Sequence, residues 1–484
     1  MLDPNLPNYQ CKEYRDLSDK WHLCEMVYKG ADPHSLDNWR KYLPAEPKEP
    51  VDAYNNRLMA SAFLWEDKYR QVVDEYAALL SNIHTTDDIP TTLSNRLENI
   101  DQCGTALDSF VQSLNLSAEK FGGVFVLVDY AGIATAESAA DEIGVNRSPY
   151  LIKYDPLDVL SWRFVVGNGR PKLSQVVIRQ IAIKPVEGFG DEDVEQYRVL
   201  KPGVSELWEI TTSDDGTETA VMIEENIVSD RSGSPLTEIP LAYYSATAAS
   251  GGMYCSEPVL FGLAKLNVHL WQVESDRHNV MHKCNLPTAV IEDEEQMDAS
   301  GNPVKHSLVL GPNHFVSVSK GGSAYFMEPA GTALSATKEK VMEIKESMER
   351  IGLGFLLGTA SATATQSLIQ ATGTQASIKG MARQLNSALS EIKRLWCLFT
   401  LEEDTGHLTV DDSLIQAALN AEMARFIVEL MDGGKLSYET GMSELQRGKA
   451  ISEDIDIAEE AKKLGLISGT PMPIVAENPD QELN

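Results

Sequence analysis

The chain has 484 residues, 43% hydrophobic and 23% charged, an ordinary balance for a globular protein with room for two to four domains. Seventy-two acids against 41 bases leave a formal charge of −31, which disfavours tight, non-specific binding to nucleic acid without excluding a protein that lets DNA pass. No apolar run approaches the roughly 18–20 residues of a membrane span, so no membrane partner is expected.

Residues 1–50 are rich in proline and turn residues and read as an extended arm or loosely packed lead-in; MLDPNLPNYQCKEYRD has no signal-peptide pattern. From Val51 onward Tyr54, Leu58, Ala62, Trp65, Tyr69, Val72, Tyr76, Leu79 and Ile83 recur at three and four. That spacing predicts one long helix of about eight turns with a continuous apolar face. A second helix is expected over 103–119, followed by a buried strand, GGVFVLVDY (122–130).

The middle is β-rich: PYLIKY (149–154), SQVVIRQIAI (174–183), QYRVL (196–200), and the pair ELWEITTS and TETAVMIEE, joined by Asp214-Asp215-Gly216 as a hairpin. Residues 187–230 hold thirteen acids against Arg198 and Lys201, and the run DEDVE (191–195) reads as solvated loop carboxylates. EIPLAYYSA (238–246) leads into a helix over 258–285, which opens with Pro258, where proline is tolerated. Short strands follow in PTAVIED, SLVLG and HFVSVS.

Every proline lies at or before Pro329 or at or after Pro471, so the intervening region is expected to be helical. A helix beginning near Ser335 carries Leu334, Val341, Ile344, Met348, Ile351 and Phe355 at close to heptad spacing, with lysines and glutamates between them. The stretch IGLGFLLGTASATATQ interrupts it, and a helix of some 35 residues follows, with Leu368, Ala371, Ile378, Ala382, Leu385, Leu389, Ile392, Trp396 and Phe399 in step. Shorter helices are expected at 411–431, 437–447 and 453–465, then an acidic, disordered tail.

Candidate chemistry is sparse. Gly352, Gly354 and Gly358 approach a dinucleotide fingerprint, but they follow a helix and not a strand, which leaves a small-residue loop between two helices. His278 and His282 stand four apart with Cys284 nearby; HExxH is absent and Cys284 points to another helical face, so surface histidines are the reading and no metal is expected. Neither GxxxxGK[ST] nor GxSxG occurs. The six cysteines form no CxxC pair and read as reduced thiols. No catalytic residue and no cofactor is expected, and the chain is not read as an enzyme.

The ordered segments FGGVFVLVDY, PYLIKYDPLDVLSWRF, EIPLAYYS, PVLFGLAKLNVHLWQVESDRHN, EPAGTAL, GLGFLLGTASATATQS and MDGGKLSYETGMSELQRGK resemble those of tailed-bacteriophage portal proteins over roughly residues 50–465. The resemblance implies an α+β portal-type subunit: an N-terminal arm (1–50), a mixed α/β wing (51–257), a stem helix (258–285), a small α/β clip (286–331), a second stem helix (332–351), a tunnel loop (352–366), a spine helix (367–400), a C-terminal helical wing or crown region (401–468) and a tail (469–484).

It further implies a homo-oligomeric ring, usually of twelve subunits, at one capsid vertex of the virion, assembled in the host cytoplasm. Such a ring passes double-stranded DNA driven by the terminase large subunit and contacts the major capsid protein and head-tail adaptor or tail proteins. Gly352, Gly354, Phe355, Leu356, Leu357, Gly358 and Thr359 would form the tunnel loop, and Lys338, Lys340, Lys345 and Arg350 would be channel-facing basic residues. Twelve copies at −31 carry −372 formal charges, and a lumen of that sign repels phosphate. Two other readings are weighed: a non-ring structural or scaffold-type helical protein, and an enzyme with an unrecognised site.

Overall fold

The computed structural model of the chain describes residues 3–130, 148–167, 170–186, 188–247, 254–284, 288–292, 323–327, 332–351, 364–410 and 424–447, with isolated positions 451, 455 and 457. The described part is mixed α and β, with long helices and antiparallel sheets.

The lead-in is neither extended nor loosely packed. Helix α1 (Lys12–Lys29) buries Tyr14, Leu17, Trp21, Cys24 and Val27, which return every three or four residues and give it an apolar stripe. A 3₁₀ turn at Leu36–Trp39 then places Trp39 in the core at 1% exposure.

The single helix expected from Val51 is two: α2 (Val51–Ala62) and α3 (Lys68–Leu79). The periodicity runs through the break because both pieces bury the same stripe, including Tyr54 and Leu58 in the first and Tyr69 and Tyr76 in the second. A short strand β1 (Ile83–Thr85) and a one-turn helix α4 (Thr91–Ser94) lead to α5 (Leu107–Phe121).

Helix α5 ends at Gly122, whose φ of 85° is left-handed and whose N–H bonds the Ala118 carbonyl at 2.8 Å. A Cβ there would lie 2.2 Å from the Glu257 carbonyl oxygen, so only glycine fits both the dihedral and the space. The chain turns directly into β2 (Gly123–Asp129), the centre of a three-stranded antiparallel sheet with β3 (Tyr150–Tyr154) and β9 (Leu241–Ser245).

This sheet divides the core. Val124, Val126 and Val128 join Ala242 and Tyr244 on the side of the helices, while Phe125, Leu127 and Leu241 face the second cluster. Burial on both faces explains why β2 reads as a continuous apolar run.

The second cluster is closed by a five-stranded antiparallel meander: β4 (Val159–Gly167), β5 (Arg170–Pro185), β6 (Asp191–Lys201), β7 (Val204–Thr212) and β8 (Glu218–Ile227). Strand β4 is additional to the strands expected from sequence. DEDVE is not a loop but the first half of β6, paired in register from Asp191 opposite Pro185 to Glu195 opposite Ile181. Its acids read as loop because that end of the sheet is solvated, and β6 carries an apolar run only from Tyr197 on. The Asp-Gly hairpin is present: Gly216 sits at φ 82° between β7 and β8.

Helix α6 (Phe261–Cys284) starts three residues after Pro258, whose carbonyl accepts from the Phe261 N–H. β10 (Thr288–Glu292) pairs antiparallel with β11 (Ser323–Met327), a strand not foreseen in the sequence; SLVLG and HFVSVS lie outside the described residues. Helix α7 (Thr332–Ile351) follows, then α8 (Ala364–Thr400), 37 residues and about 55 Å long at 1.5 Å per residue. The chain closes with β12 (Leu408–Val410) beside β1, a helical stretch α9 at 424–432 and α10 (Tyr438–Arg447). The helix expected at 453–465, and the tail, lie outside the described residues.

Candidate functional site

The candidate elements are α6, the β10–β11 pair, α7 and α8, which follow one another without any other described element between them. Helix α6 is rooted in the body through Leu263, Ala264, Val268, Leu270 and Trp271, all buried. Toward its C-terminal end exposure rises: Val280 and Met281 are more than a third exposed. Helix α7 lays Val341, Ile344 and Met348 into the core and turns Lys338, Glu339, Lys340, Glu343, Glu346, Glu349 and Arg350 outward. Of the expected heptad stripe, Val341, Ile344 and Met348 are buried and Ile351 is 40% exposed, while the side chains of Leu334 and Phe355 lie outside the described residues.

Both roots meet at one residue, Glu66, in the link between α2 and α3. Its main-chain carbonyl accepts from Asn267 Nδ2 of α6 at 3.1 Å, and its carboxylate Oε1 accepts from Lys345 Nζ of α7 at 2.5 Å. Asn267 Oδ1 in turn accepts from the Tyr69 N–H at 3.0 Å, satisfying an amide that the first turn of α3 cannot. Asn267 is 1% exposed, so these bonds are made in the interior, where an unpaired amide is costly.

One turn further along α6, the Trp271 indole N–H donates to the Ser61 carbonyl at 2.8 Å, at the end of α2. Its ring completes a triangle with Trp39 and Trp65, with centroids 4.7, 5.2 and 6.0 Å apart. The ends of α2 and α3 on either side of residues 63–67 are thus bonded to α6.

Of the four basic candidates, Lys345 is turned onto the body and paired with Glu66. Lys340 pairs along its own helix with Glu343 at 3.2 Å, and Arg350 donates to the Glu346 carbonyl and the Ser347 hydroxyl. Lys338 is exposed. Gly352, Gly354, Phe355, Leu356, Leu357, Gly358 and Thr359 lie outside the described residues, and α8 begins at Ala364, before the expected start at 367.

Helix α8 is held along its second half. Ile378, Leu385, Leu389, Ile392, Trp396 and Phe399 are buried, and the helix packs against β9 and β12. Arg394 grips Glu238 with two bonds of 2.9 Å and also reaches Glu391, and these carboxylates push its guanidinium pKa further up. Lys393 pairs with Asp404, and the Trp396 indole donates to Thr92 at 3.0 Å.

His278 is exposed on α6, at the edge of a cleft of about 630 Å³ whose lining includes Glu46, Arg57, Ser275 and Asn279. Among the described residues no three His, Cys, Asp or Glu side chains converge as metal ligands. Burial pushes the thiols of Cys11, Cys24, Cys255 and Cys397 up to about 11, which keeps them protonated and unreactive near neutral pH. What the site offers is a mechanical arrangement: two long helices packed on each other and fixed to the body, joined in the chain by a β-pair, and a longer helix held on β9 and β12.

Sequence reasoning missed Glu66 and Asn267. A signal exists for Asn267, an amide set into the apolar run Leu263, Ala264, Val268, Leu270, Trp271, where a polar residue needs a buried partner.

No curated protein matches the chain. Among solved structures, a chain in the virion of a native gene transfer agent particle is 10% identical, with 85% of this chain and 99% of that chain covered and a TM-score of 0.39. A chain in the neck of an empty gene transfer agent particle, computed with C6 symmetry, is 10% identical over 88% of this chain and 98% of that one, with a TM-score of 0.40. A chain in the neck of the native particle, computed with C12 symmetry, is 11% identical over 83% and 94%, with a TM-score of 0.38. Residues 259–399 match a family described as a domain of unknown function, DUF4055, a stretch that runs from just before α6 to the last turn of α8.

Proposed function

We propose that the chain is the subunit of a portal-type ring at a capsid vertex of a phage-like virion, a non-catalytic conduit for double-stranded DNA. In this reading α6 and α7 are the stem, the β10–β11 pair belongs to the clip, and α8 is the spine. The observation that carries it is the joint anchorage of α6 and α7 on Glu66: it ties the two helices to the body side by side, with the β10–β11 pair between them in the chain, in the order the sequence resemblance requires. The terminase large subunit, the major capsid protein and head-tail adaptor or tail proteins are the partners this role demands.

The negative charge suits a conduit, because a lumen of like sign does not hold phosphate. Native mass spectrometry and negative-stain imaging of the purified chain test the reading. Closed rings with a central hole are expected, usually of twelve subunits. Monomers or dimers alone at micromolar concentration overturn it.

A further inference from the structure

Glu119 lies on α5, 1% exposed, and neither carboxylate oxygen has a hydrogen-bond partner. Among the described residues no cation pairs with it. Its chain neighbour Lys120 is committed elsewhere, 2.6 Å from Glu25 of α1 and beside the Tyr28 and Phe121 rings. Around Glu119 stand two buried hydroxyls, Tyr69 on α3, which lies against the Cys24 thiol, and Tyr244 on β9, which has no partner. One turn back on α5, Asn115 ties the helix to the Ala77 and Leu80 carbonyls of α3, and its own Oδ1 is likewise unpartnered.

The groups around Glu119 can be named element by element. Tyr69 and Tyr76 of α3 and Tyr244 of β9 feel its charge; beside Tyr69 stand Cys24 and Glu25 of α1, the latter paired with Lys120 and Lys29; β2, on which α5 packs, brings Val124, Val126 and Val128 into the same core. The nearby tyrosines and thiols are neutral at neutral pH, their pKa values pushed up by burial, and Lys120 and Lys29 are both paired with Glu25. An ionised carboxylate here would be unpaired in a dry interior, which is among the most unfavourable placements a side chain can have.

We infer that Glu119 is a proton-holding switch of the core: as a neutral carboxylic acid it lets α5 pack on α3 and β9, and on losing its proton it drives that junction open to solvent. Burial pushes its carboxyl up to about 8, so the change falls just above neutral pH. The sign follows. The folded chain keeps a proton that the unfolded chain releases near the ordinary carboxyl value, so stability falls as pH rises from about 4.5 to about 8 and then levels.

The inference is independent of the ring reading, since it concerns the interior of one chain. Two measurements on the full-length protein test it. Infrared difference spectra are expected to show the carbonyl stretch of a protonated carboxylic acid at neutral pH, lost on titration above about pH 8 and missing in Glu119→Gln. Thermal unfolding of the wild type is expected to lose several degrees between about pH 6 and about pH 9, and Glu119→Gln to lose much less over the same step. If the infrared band is absent from the wild type at neutral pH, or if both proteins show the same pH dependence, the inference is overturned. If the variant does not fold, absence of the band from the wild type at neutral pH still overturns the inference.

Discussion

The indole N–H of Trp271 donates to the main-chain carbonyl of Ser61 at 2.8 Å, across 210 residues of sequence. A side chain of α6 thereby joins the Leu64 N–H on the last carbonyls of α2, and Asn267, one turn earlier on the same helix, caps the start of α3 by accepting from the Tyr69 N–H. The body and the first long helix are consequently one cooperative unit.

Asn267→Ala is expected to destabilise the fold by about 1–3 kcal/mol, because it leaves the buried Tyr69 amide unpaired, whereas the Glu66 carbonyl keeps the Lys68 N–H. Lys345→Gln, which removes a pair with about a third of each side chain exposed, is expected to cost less than about 1 kcal/mol. Denaturant midpoints compare the two. Equal losses would show that the ion pair and not the amide fixes the root.

Gly122→Ala combines a left-handed backbone with a Cβ placed 2.2 Å from the Glu257 carbonyl oxygen. We expect at least about 2 kcal/mol of destabilisation, from the dihedral penalty and from displaced main chain. Soluble yield and melting temperature report it. A variant that melts like the wild type would mean that the segment carrying Glu257 moves freely, contrary to its packing on Gly122.

Burial would raise the Glu25 carboxyl, but hydrogen bonds and charge from Lys120 and Lys29 outweigh it and hold the group below its ordinary value. Its contribution is therefore present above about pH 4.5 and is lost as pH falls through the lower, folded value. Lys120→Met should be clearly destabilised at neutral pH, with the gap to wild type narrowing in acid. Melting curves across that range check it; a gap independent of pH would place the effect in packing alone.

Despite DNA being the proposed cargo, duplex affinity should be weak at physiological salt because of the −31 charge. Fluorescence anisotropy with a labelled duplex is the check. A sub-micromolar dissociation constant contradicts the conduit reading.

Removing residues 359–364 should leave ring assembly intact while DNA packaging or retention fails, if the Gly352–Gly358 stretch and Thr359 act on DNA as the portal reading holds. Glycines lower helix propensity by up to about 1 kcal/mol each, so the segment is chemically suited to leave the helix. Normal packaging by the shortened protein would make the segment a connector and nothing more.

The sequence by itself determined the elements whose burial is periodic. β2 was legible from its unbroken β-branched run, α7 from Val341, Ile344 and Met348, α8 from its Leu385, Leu389, Ile392 and Trp396 rhythm, and the β7–β8 hairpin from Asp-Gly. In each, the pattern of apolar side chains or the turn dihedral is a local property. Tertiary structure decided the break between α2 and α3, because the apolar stripe runs through it and the bonds that α6 makes to both helix ends, through Trp271 and Asn267, come from about 200 residues away in the chain. It also decided that DEDVE is strand, through a register set by its neighbour Ile181–Pro185, and that Glu66 joins two helices distant in sequence. Hydrogen bonds and ion pairs between remote positions leave no period in the chain, so their partners become visible only once the core has brought them together.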